Sequence, residues 1–413
     1  MGAPHGVIAR PPRGVRGMIG RHPAHAPRDP VDGRTRMQID FARQPPSRVG
    51  IEWELACVDG GSGELAGVAP EILRSFPHDD AHPHVTGEFL TNTVEVVSAP
   101  HARVGHAVDD LARLIERVMD VADPLGIDLM CAGTHPFSAW PDQDVTPDNA
   151  RYATLLDRTR WWGRQMMIWG VHVHVGIDDG AKALPILNAL LVHLPRFQAL
   201  SASSPFWSGQ ETGYASNRAL MFQQLPTAGL PPDLTTWADY ERLVGDMTHV
   251  GVIDHHSELR WDIRPAPKWG TLETRVFDGV STLGEIASLA ALVQCLVHDM
   301  SAALDRGEEL PRMQPWFVRE NKWRAARYGM DAIIIQDAAG EEALVGDDTR
   351  ALVERLSPVA DELGCEAELR GILDIVDRGA SYQRQLRVAE DNDGALAPVV
   401  THLVEELRSG LGR

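Results

Sequence analysis

Apolar and polar positions alternate with a period of two in several short stretches, and recur with a helical period in longer ones. In "VGIEWELACVD", from Val49, the residues Ile51, Trp53 and Leu55 share one face and Glu52 and Glu54 the other, which predicts a strand. "DGGSGE" after it is turn chemistry. "GEFLTNTVEVVSAP" predicts a second strand, ended by Pro100. From Val104 to Val121, apolar residues recur at 104, 108, 111, 115 and 118, a helical spacing. "IDLMCAG" predicts a short buried strand and "MMIWGVHVHVGI" a long one, followed by a helix over about 182–202. "SELRWDIRP" and "GTLETRVFD" predict two strands joined by a turn containing Pro and Gly, hence a hairpin. Helices then dominate, over about 283–305, about 316–328 and several from about 348 onward. Strands mostly precede a helical tail, so the predicted class is α+β with a mainly antiparallel sheet.

Residues 1–48 break this pattern, with nine Arg, eight Pro and six Gly against three Asp and no apolar periodicity. Such a segment cannot bury enough surface to offset its ordering entropy. It has no apolar core of a secretory signal and no amphipathic period of a transit peptide. The expectation is a disordered extension over 1–47, or one translated from too early a start, with Met18 and Met37 as alternative starts, and a single catalytic domain over 48–413.

The 413 residues suffice for a large core, and the net charge of −19 argues against nucleic acid or an anionic membrane as a partner. An anionic substrate stays open, because a bound divalent cation inverts the local field. Cys57, Cys131, Cys295 and Cys365 form no CxxC pair and suggest neither a zinc knuckle nor a disulfide framework, so a reducing cytoplasm is expected. The apolar run from Ile286 is interrupted by Gln294, His298 and Asp299, which predicts a buried helix and not a membrane span.

The strands carry an unusual polar face. Glu52 and Glu54 share one face of their strand, and His172 and His174 share one face of theirs. Glu88 and Glu95 flank the second strand; Glu258, Arg260, Asp262 and Arg264 alternate along "ELRWDIR", and Glu273 and Arg275 along "LETRVF". One such strand is ordinarily a solvated sheet face, and an isolated H-x-H is more often hydrogen-bonded structure than a ligand pair. A merely wet face would also use Lys, Thr, Ser and Gln freely, whereas this set is nearly all Glu, Asp, His and Arg. Carboxylates gathered within about 4–6 Å repel unless cations sit between them, and Mg²⁺ or Mn²⁺ suits oxygen ligands with an imidazole. Arginines beside such a site suit carboxylate or phosphate groups. The chain has no G-x-x-x-x-G-K-[ST], so a nucleotide would be held without a P-loop.

"VGIEWEL", "GEFLTNTVEVVSAPH", "GVHVHVGI", "TGYASNRAL", "LETRVFDG" and "ENKWRAARYG" occur in this order. Together they resemble the carboxylate–amine ligase branch of the glutamate–cysteine ligase type 2 family, over about residues 48–405. The resemblance implies a fold similar to the catalytic domain of glutamine synthetase, with a curved antiparallel sheet forming a funnel for ATP and divalent metals. It implies ATP-dependent amide formation, in which a carboxylate becomes an acyl phosphate and an amine displaces phosphate. It implies metal ligands at Glu52, Glu54, Glu95, His172 and Glu273, with Glu88 a nearby acidic position. Arg275 falls near the transferred phosphate or the acid, and Arg218 is a candidate for the substrate carboxylate. His174, Arg260 and Arg264 are candidates for substrate or nucleotide. Asn321, Arg324 and Arg327, with Tyr328, share a helical face that either approaches phosphates or is plain helix surface. Similar ligases carry an arginine just before the glycine–tyrosine pair, and "SSPFWSGQETGY" has none. Relatives also form homodimers, which this sequence does not fix.

Two other functions use the same residues. A metal-dependent hydrolase would activate water with the Glu/His set, and a non-catalytic homologue would bind nucleotide and metal without turnover. Only the ligase releases ADP in step with amide formation. The acid, the amine and the base that deprotonates the amine are not legible in the sequence.

Overall fold

The computed structural model describes residues 37–77 and 82–412. Seven strands form one sheet: β1 (Val49–Asp59), β2 (His84–Gly87), β3 (Thr93–Val97), β4 (Ile127–Met130), β5 (Gly170–Gly176), β6 (Ile263–Ala266) and β7 (Thr271–Asp278). The order is β6-β7-β5-β1-β3-β2, with β4 also paired to β1, and every pairing is antiparallel. The α+β class with an antiparallel sheet therefore holds.

Alternation explains the two faces of this sheet. Ile51, Trp53 and Leu55 of β1, Val94 and Val96 of β3, Val171, Val173 and Val175 of β5 and Leu272 of β7 are all buried. Against that side pack the long helices α1 (Val104–Ala122), α3 (Gly180–Ser201) and α6 (Leu283–Asp305). By length and composition α3 and α6 could each cross a membrane, yet 94% and 78% of their apolar windows are buried inside the domain. The buried helix expected from Ile286 is α6.

Besides the single turns Ala69–Ile72 and Trp161–Arg164, three shorter helices lie between the sheet strands: α2 (Ala150–Thr159), α4 (Asn217–Phe222) and α5 (Trp237–His249). None of the three was expected from the sequence pattern. After α6 the chain is helical, with α7 (Pro315–Tyr328), α8 (Val345–Leu363), α9 (Glu366–Arg378), α10 (Ser381–Asp391) and α11 (Ala397–Gly410). A small hairpin over 333–344 separates α7 from α8.

Three expected strands come out differently. The stretch from Gly87 is a strand only over Thr93–Val97, because Thr91 and Asn92 turn the chain and His84–Gly87 pairs back on it. The long histidine strand begins at Gly170, not Met166. "ELRWDIR" is broken after Trp261: Arg260–Trp261 pairs with 228–229 instead, and the sheet strand starts at Ile263. The hairpin of β6 and β7 is present, turned by Gly270 at φ 63°, a left-handed conformation that suits glycine.

One irregularity matters for the site. The β5–β7 register shifts between Thr274 and Phe277, so Arg275 and Val276 together face the single residue His172. This is a β-bulge. It keeps Arg275 on the face of Glu273 while Val276 and Phe277 both enter the core.

Residues 37–47 do not behave as part of an extension. Ile39 is buried, its N–H donates to Glu241 (3.0 Å), and its carbonyl accepts from Trp237 Nε1 (2.9 Å). Phe41 meets Trp237 edge-on at 5.4 Å. Composition over the whole window hid this short alternation of Met37, Ile39 and Phe41. The remainder of the expected extension, residues 1–36, lies outside the described residues.

Candidate active site

The polar face of the sheet is assembled by register. Glu54 of β1 pairs with Glu95 of β3, Glu52 with His172 of β5, and Glu273 of β7 with His174. Arg264 of β6 pairs with Glu273. Three donor sets result, each with its ligand atoms within 4.8 Å of one another: Glu52, Glu95 and His172; Glu52, His174 and Glu273; Glu54, Glu88 and Glu95. Glu52 and Glu95 each belong to two of them.

Electrostatics divides these residues into two groups. Glu273 is neutralised by protein: Arg264 Nε donates to it at 2.6 Å and Arg275 Nη1 makes a second, shorter contact. Burial would raise the Glu273 carboxyl, but Arg264 and Arg275 outweigh it and hold it far below the usual range. Glu52 is likewise held well below, since its two imidazole partners overcome burial: His172 Nδ1 at 2.8 Å and His174 Nε2 at 3.2 Å. Glu54, Glu88 and Glu95 have too few cations. Burial, then the charge of Glu88, pushes Glu54 up to about 7. Burial, then the charges of Glu52, Glu88 and Glu54, raises Glu95 well above the usual range. Burial raises Glu88 too.

A buried carboxylate set that repels itself is the donor set expected of a divalent-cation site. The histidines fit that role. Burial and Arg275 bring His172 down to about 4, so its imidazole is neutral near pH 7. With Nδ1–H directed at Glu52, the Nε2 lone pair is left for a ligand. His174 is raised instead, Glu273 and Glu52 outweighing burial, and its Nδ1 faces Thr271 Oγ1 at 2.9 Å. Glu54 is fixed from behind by the Gly170 N–H (2.6 Å).

Two cavities open on either side of the Glu52–Glu95 pair. One, of about 250 Å³, runs over Glu52, Glu54, Glu88, Glu95 and His172 and is walled by Arg218, Arg260, Arg264 and Arg275. The other, of about 410 Å³, runs over Glu52, Glu95 and His174 and is walled by His82, His84, Lys268 and Trp269. Lys268 Nζ lies 4.5 Å from the Trp269 ring, and His82 lies edge-on to the same ring at 5.5 Å.

Arg218, the second residue of α4, is buried, with Nη1 donating to the Arg275 carbonyl (3.4 Å). A Cβ on Gly170 would come within 2.1 Å of its Nη2, so the guanidinium needs a glycine there. Asp278, absent from the sequence reading, sets the backbone beneath it. It accepts from Ser204 Oγ (2.7 Å) and Ser216 Oγ (2.8 Å), and Ser204 Oγ accepts from the Arg218 N–H (3.0 Å).

Eleven of the fourteen site residues read from the sequence thus meet on one sheet face and its walls. Asn321, Arg324 and Arg327 do not. The Asn321 amide closes both backbone bonds of Ile335, accepting from its N–H (2.8 Å) and donating to its carbonyl (2.7 Å). Arg324 is held by Glu320 (2.9 Å) and Glu342, and Arg327 lies over the rings of Tyr214 and Tyr328. Helical spacing showed that they share a side of α7, not which element that side meets. Asp262 also leaves the site, paired with Lys322 of α7 at 2.6 Å. Arg151 and Tyr152 of α2 and Phe222 of α4 line the 250 Å³ cavity without having been expected. "NARY" after a loop carries only the N-cap Asn149 as a signal, which marks a helix start and not a site.

Residues 48–402 match the family described as glutamate–cysteine ligase family 2. A relative from Clavibacter sepedonicus, provisionally named a glutamate–cysteine ligase 2, is 97% identical over 383 residues, covering 93% of this chain and all of the relative. Another of that provisional name, from Leifsonia xyli subsp. xyli, is 57% identical over 377 residues, 91% of this chain and all of the relative. Among solved structures, the glutamate–cysteine ligase of Francisella tularensis in complex with AMP aligns over 90% of this chain and 94% of its own, with a TM-score of 0.59 and 14% identity. A bifunctional glutathione synthetase from Pasteurella multocida aligns over 88% of this chain and 53% of its own, with a TM-score of 0.64 and 15% identity. At these identities the structural likeness speaks for the fold.

Proposed function

The chain belongs to glutamate–cysteine ligase family 2, a family of ATP-dependent carbon–nitrogen ligases, and from that premise we propose that it activates a carboxylic acid as an acyl phosphate and transfers the acyl group to an amine. The observation that carries this reading is the pair of cavities meeting at Glu52 and Glu95. Two like-charged reactants, ATP and a carboxylate, approach one another there from opposite sides.

The nucleotide belongs to the 410 Å³ side, where the Trp269 and His82 rings, in contact with each other, form a wall on which a base can pack, and Lys268 and Arg48 can face phosphates. The acid belongs to the 250 Å³ side, among arginines. Glu52, Glu54, Glu95 and His172, with Glu273 and His174 beside them, are the residues that would hold Mg²⁺ or Mn²⁺. Bound there, a divalent cation supplies positive charge to the oxygens of the transferring phosphoryl group. Arg275 reaches the same region with its charge fixed, since Glu273 raises it further despite burial. Its Nε is buried without a partner and is available to an incoming oxygen. Arg218, whose Nε is also buried and unpartnered, orients the acid. No side-chain nucleophile is required. The four cysteines, all free and buried, suit a reducing cytoplasm.

The test is a hydroxylamine trap. Purified protein, Mg²⁺, ATP and a panel of carboxylic acids should give a hydroxamate, with one ADP and one phosphate released for each. Formation of AMP and pyrophosphate would replace the acyl phosphate by an acyl adenylate. ADP release without hydroxamate would favour hydrolysis.

A further inference from the structure

The motif "ENKWRAARYG" runs along α7, and the residues expected of it, Asn321, Arg324 and Arg327, stay outside the site. Its lysine connects to the site by another route. Lysine occurs three times in the chain, at 182, 268 and 322, and Lys322 is buried. Its Nζ donates to the Asp262 carboxylate at 2.6 Å, and Asp262 is buried as well. An ion pair withdrawn from water is a poor source of stability, because desolvating two charges offsets their attraction. What such a pair can do is hold one arrangement of the backbone that carries it.

Asp262 stands at a junction. Arg260–Trp261 pairs with 228–229, and the sheet strand β6 begins at Ile263. The Asp262 N–H donates to the Gly229 carbonyl (2.8 Å), and the Asp262 carbonyl accepts from the Arg275 N–H (2.8 Å). Arg275 lies in the bulge of β7, where the register against β5 shifts, so its amide is held from the β6 side. Glu273 grips the far end of the Arg275 side chain; the Asp262 bond holds the backbone from which it springs. One turn further along α7, the Ala326 carbonyl accepts from the Ala215 and Ser216 N–H groups (2.9 and 3.0 Å), just before Arg218. Residues 322 and 326 share a helix face. The same side of α7 thus reaches the backbone under both arginines, Arg275 through Lys322 and Asp262, and Arg218 through Ala326.

We propose that Lys322 is a positioning residue for Arg275: clamped to Asp262, it fixes the peptide to which the Arg275 amide bonds and so aims the guanidinium at the transferring phosphoryl group. This rests on the ligase reading above. Lys322 touches neither reactant. Its loss slows the chemical step, which needs Arg275 in place, and leaves the binding of ATP and acid nearly unchanged.

Lys322→Met alone leaves the Asp262 carboxylate buried and unpaired. The variant to test therefore combines Lys322→Met with Asp262→Asn, which removes both charges and keeps the backbone groups of residue 262. In the hydroxylamine assay, with the acid that gives the most hydroxamate, its kcat should fall by on the order of 10-fold or more, the scale of a small misplacement near the reacting atoms. The KM for ATP and for the acid should stay within about twofold. Lys322→Gln, which can still donate to Asp262, should recover part of the kcat. Amide hydrogen exchange should quicken in peptides containing Arg275 and stay unchanged in α1, on the other side of the sheet. Melting temperatures check that each variant folds. A folded double variant with wild-type kcat overturns the proposal, as does a loss of kcat with wild-type exchange at Arg275. A double variant that does not fold assigns the pair to stability and overturns it too. A wild type that makes no hydroxamate from any acid removes the ligase reading itself, and exchange at Arg275 then still decides whether Lys322 sets that backbone.

Discussion

Replacing Glu95 with glutamine should raise the melting temperature of the metal-free protein and remove most of its response to Mg²⁺. Glu95 is 8% exposed, lies across from Glu54 in the β1–β3 pair, and shares donor sets with Glu52, Glu54 and Glu88. At 4.8 Å and an effective dielectric of about 20, each ionised pair repels by about 3.5 kcal/mol. The protein escapes the sum by keeping protons. For a carboxyl that ordinarily titrates at 4.5, full protonation at pH 7.5 costs about 3 × 1.36, or about 4 kcal/mol. That figure bounds what glutamine, an uncharged isostere, can recover. For Met37–Arg413, at about 2.1 cal/mol/K per residue, the unfolding entropy is about 0.8 kcal/mol/K, so the gain is at most about 5 °C. Mg²⁺ at about 100 times its Kd adds about 2.7 kcal/mol, or about 3 °C, to the wild type. The variant has lost a ligand of two sets and gains less. Thermal melts at pH 7.5 in EDTA and in Mg²⁺ measure both differences. The reasoning is refuted if the metal-free variant melts below the wild type, or if Mg²⁺ raises the two equally.

The remaining expectations are independent of that one. His172→Ala should raise the Mg²⁺ concentration for half-maximal turnover by about tenfold or more, because a ligand and its hydrogen bond to Glu52 are both gone, whereas His174→Ala should act less on the metal and more on ATP; a metal titration separates them. Glu406 is pushed up by burial but held down to about 2 by His402, Arg384 and Ser281, so its contribution is present above pH 4.5 and lost as pH falls toward 2. The stability gap between wild type and Glu406→Gln, at most about 3 kcal/mol at pH 7, should therefore narrow in denaturant titrations below about pH 4.5; a gap constant down to pH 3 contradicts it. A chain starting at Arg48 should be less stable than one starting at Met37 by about 2–4 kcal/mol, since burial of Ile39 and the packing of Phe41 on Trp237 are lost; equal denaturation midpoints would show that this segment contributes nothing.

Much of the site was legible because strands expose their logic in sequence. Glu52/Glu54, His172/His174 and Glu273/Arg275 each announce a shared face through the period of two, and antiparallel pairing then needs only to bring the faces level. Arg275 keeps its place even though a bulge follows it, because the extra residue, Val276, is spent on the core side. Legibility ended where a side chain's role depends on another element. Asn321 and Arg324 have the spacing of a polar helix face, yet their partners are Ile335 and Glu342 of a hairpin that periodicity does not bring near. Asp262 alternates correctly with Arg260 and Arg264, but the strand breaks beside it and Lys322 takes it. Arg151 stands alone in the sequence, and it lines the 250 Å³ cavity only because α2 folds beside it.

Two indoles are built into the rear of this site. Trp53 sits between Glu52 and Glu54 in the chain, fully buried, with Nε1 donating to Cys131 Sγ at 3.0 Å. Trp169 is also fully buried and immediately precedes Gly170, whose N–H fixes Glu54. Trp161, Trp162, Trp269, Trp316 and Trp323 are by contrast at least two-fifths exposed. An aqueous quencher such as iodide should silence the exposed group and leave a blue-shifted emission from the buried indoles. That residual fluorescence comes from Trp53 and Trp169 together with Trp261, which is also buried, and is an internal optical gauge of the packing behind the sheet. Ligands that shift the carboxylates of the sheet can then be titrated by light in the unlabelled protein.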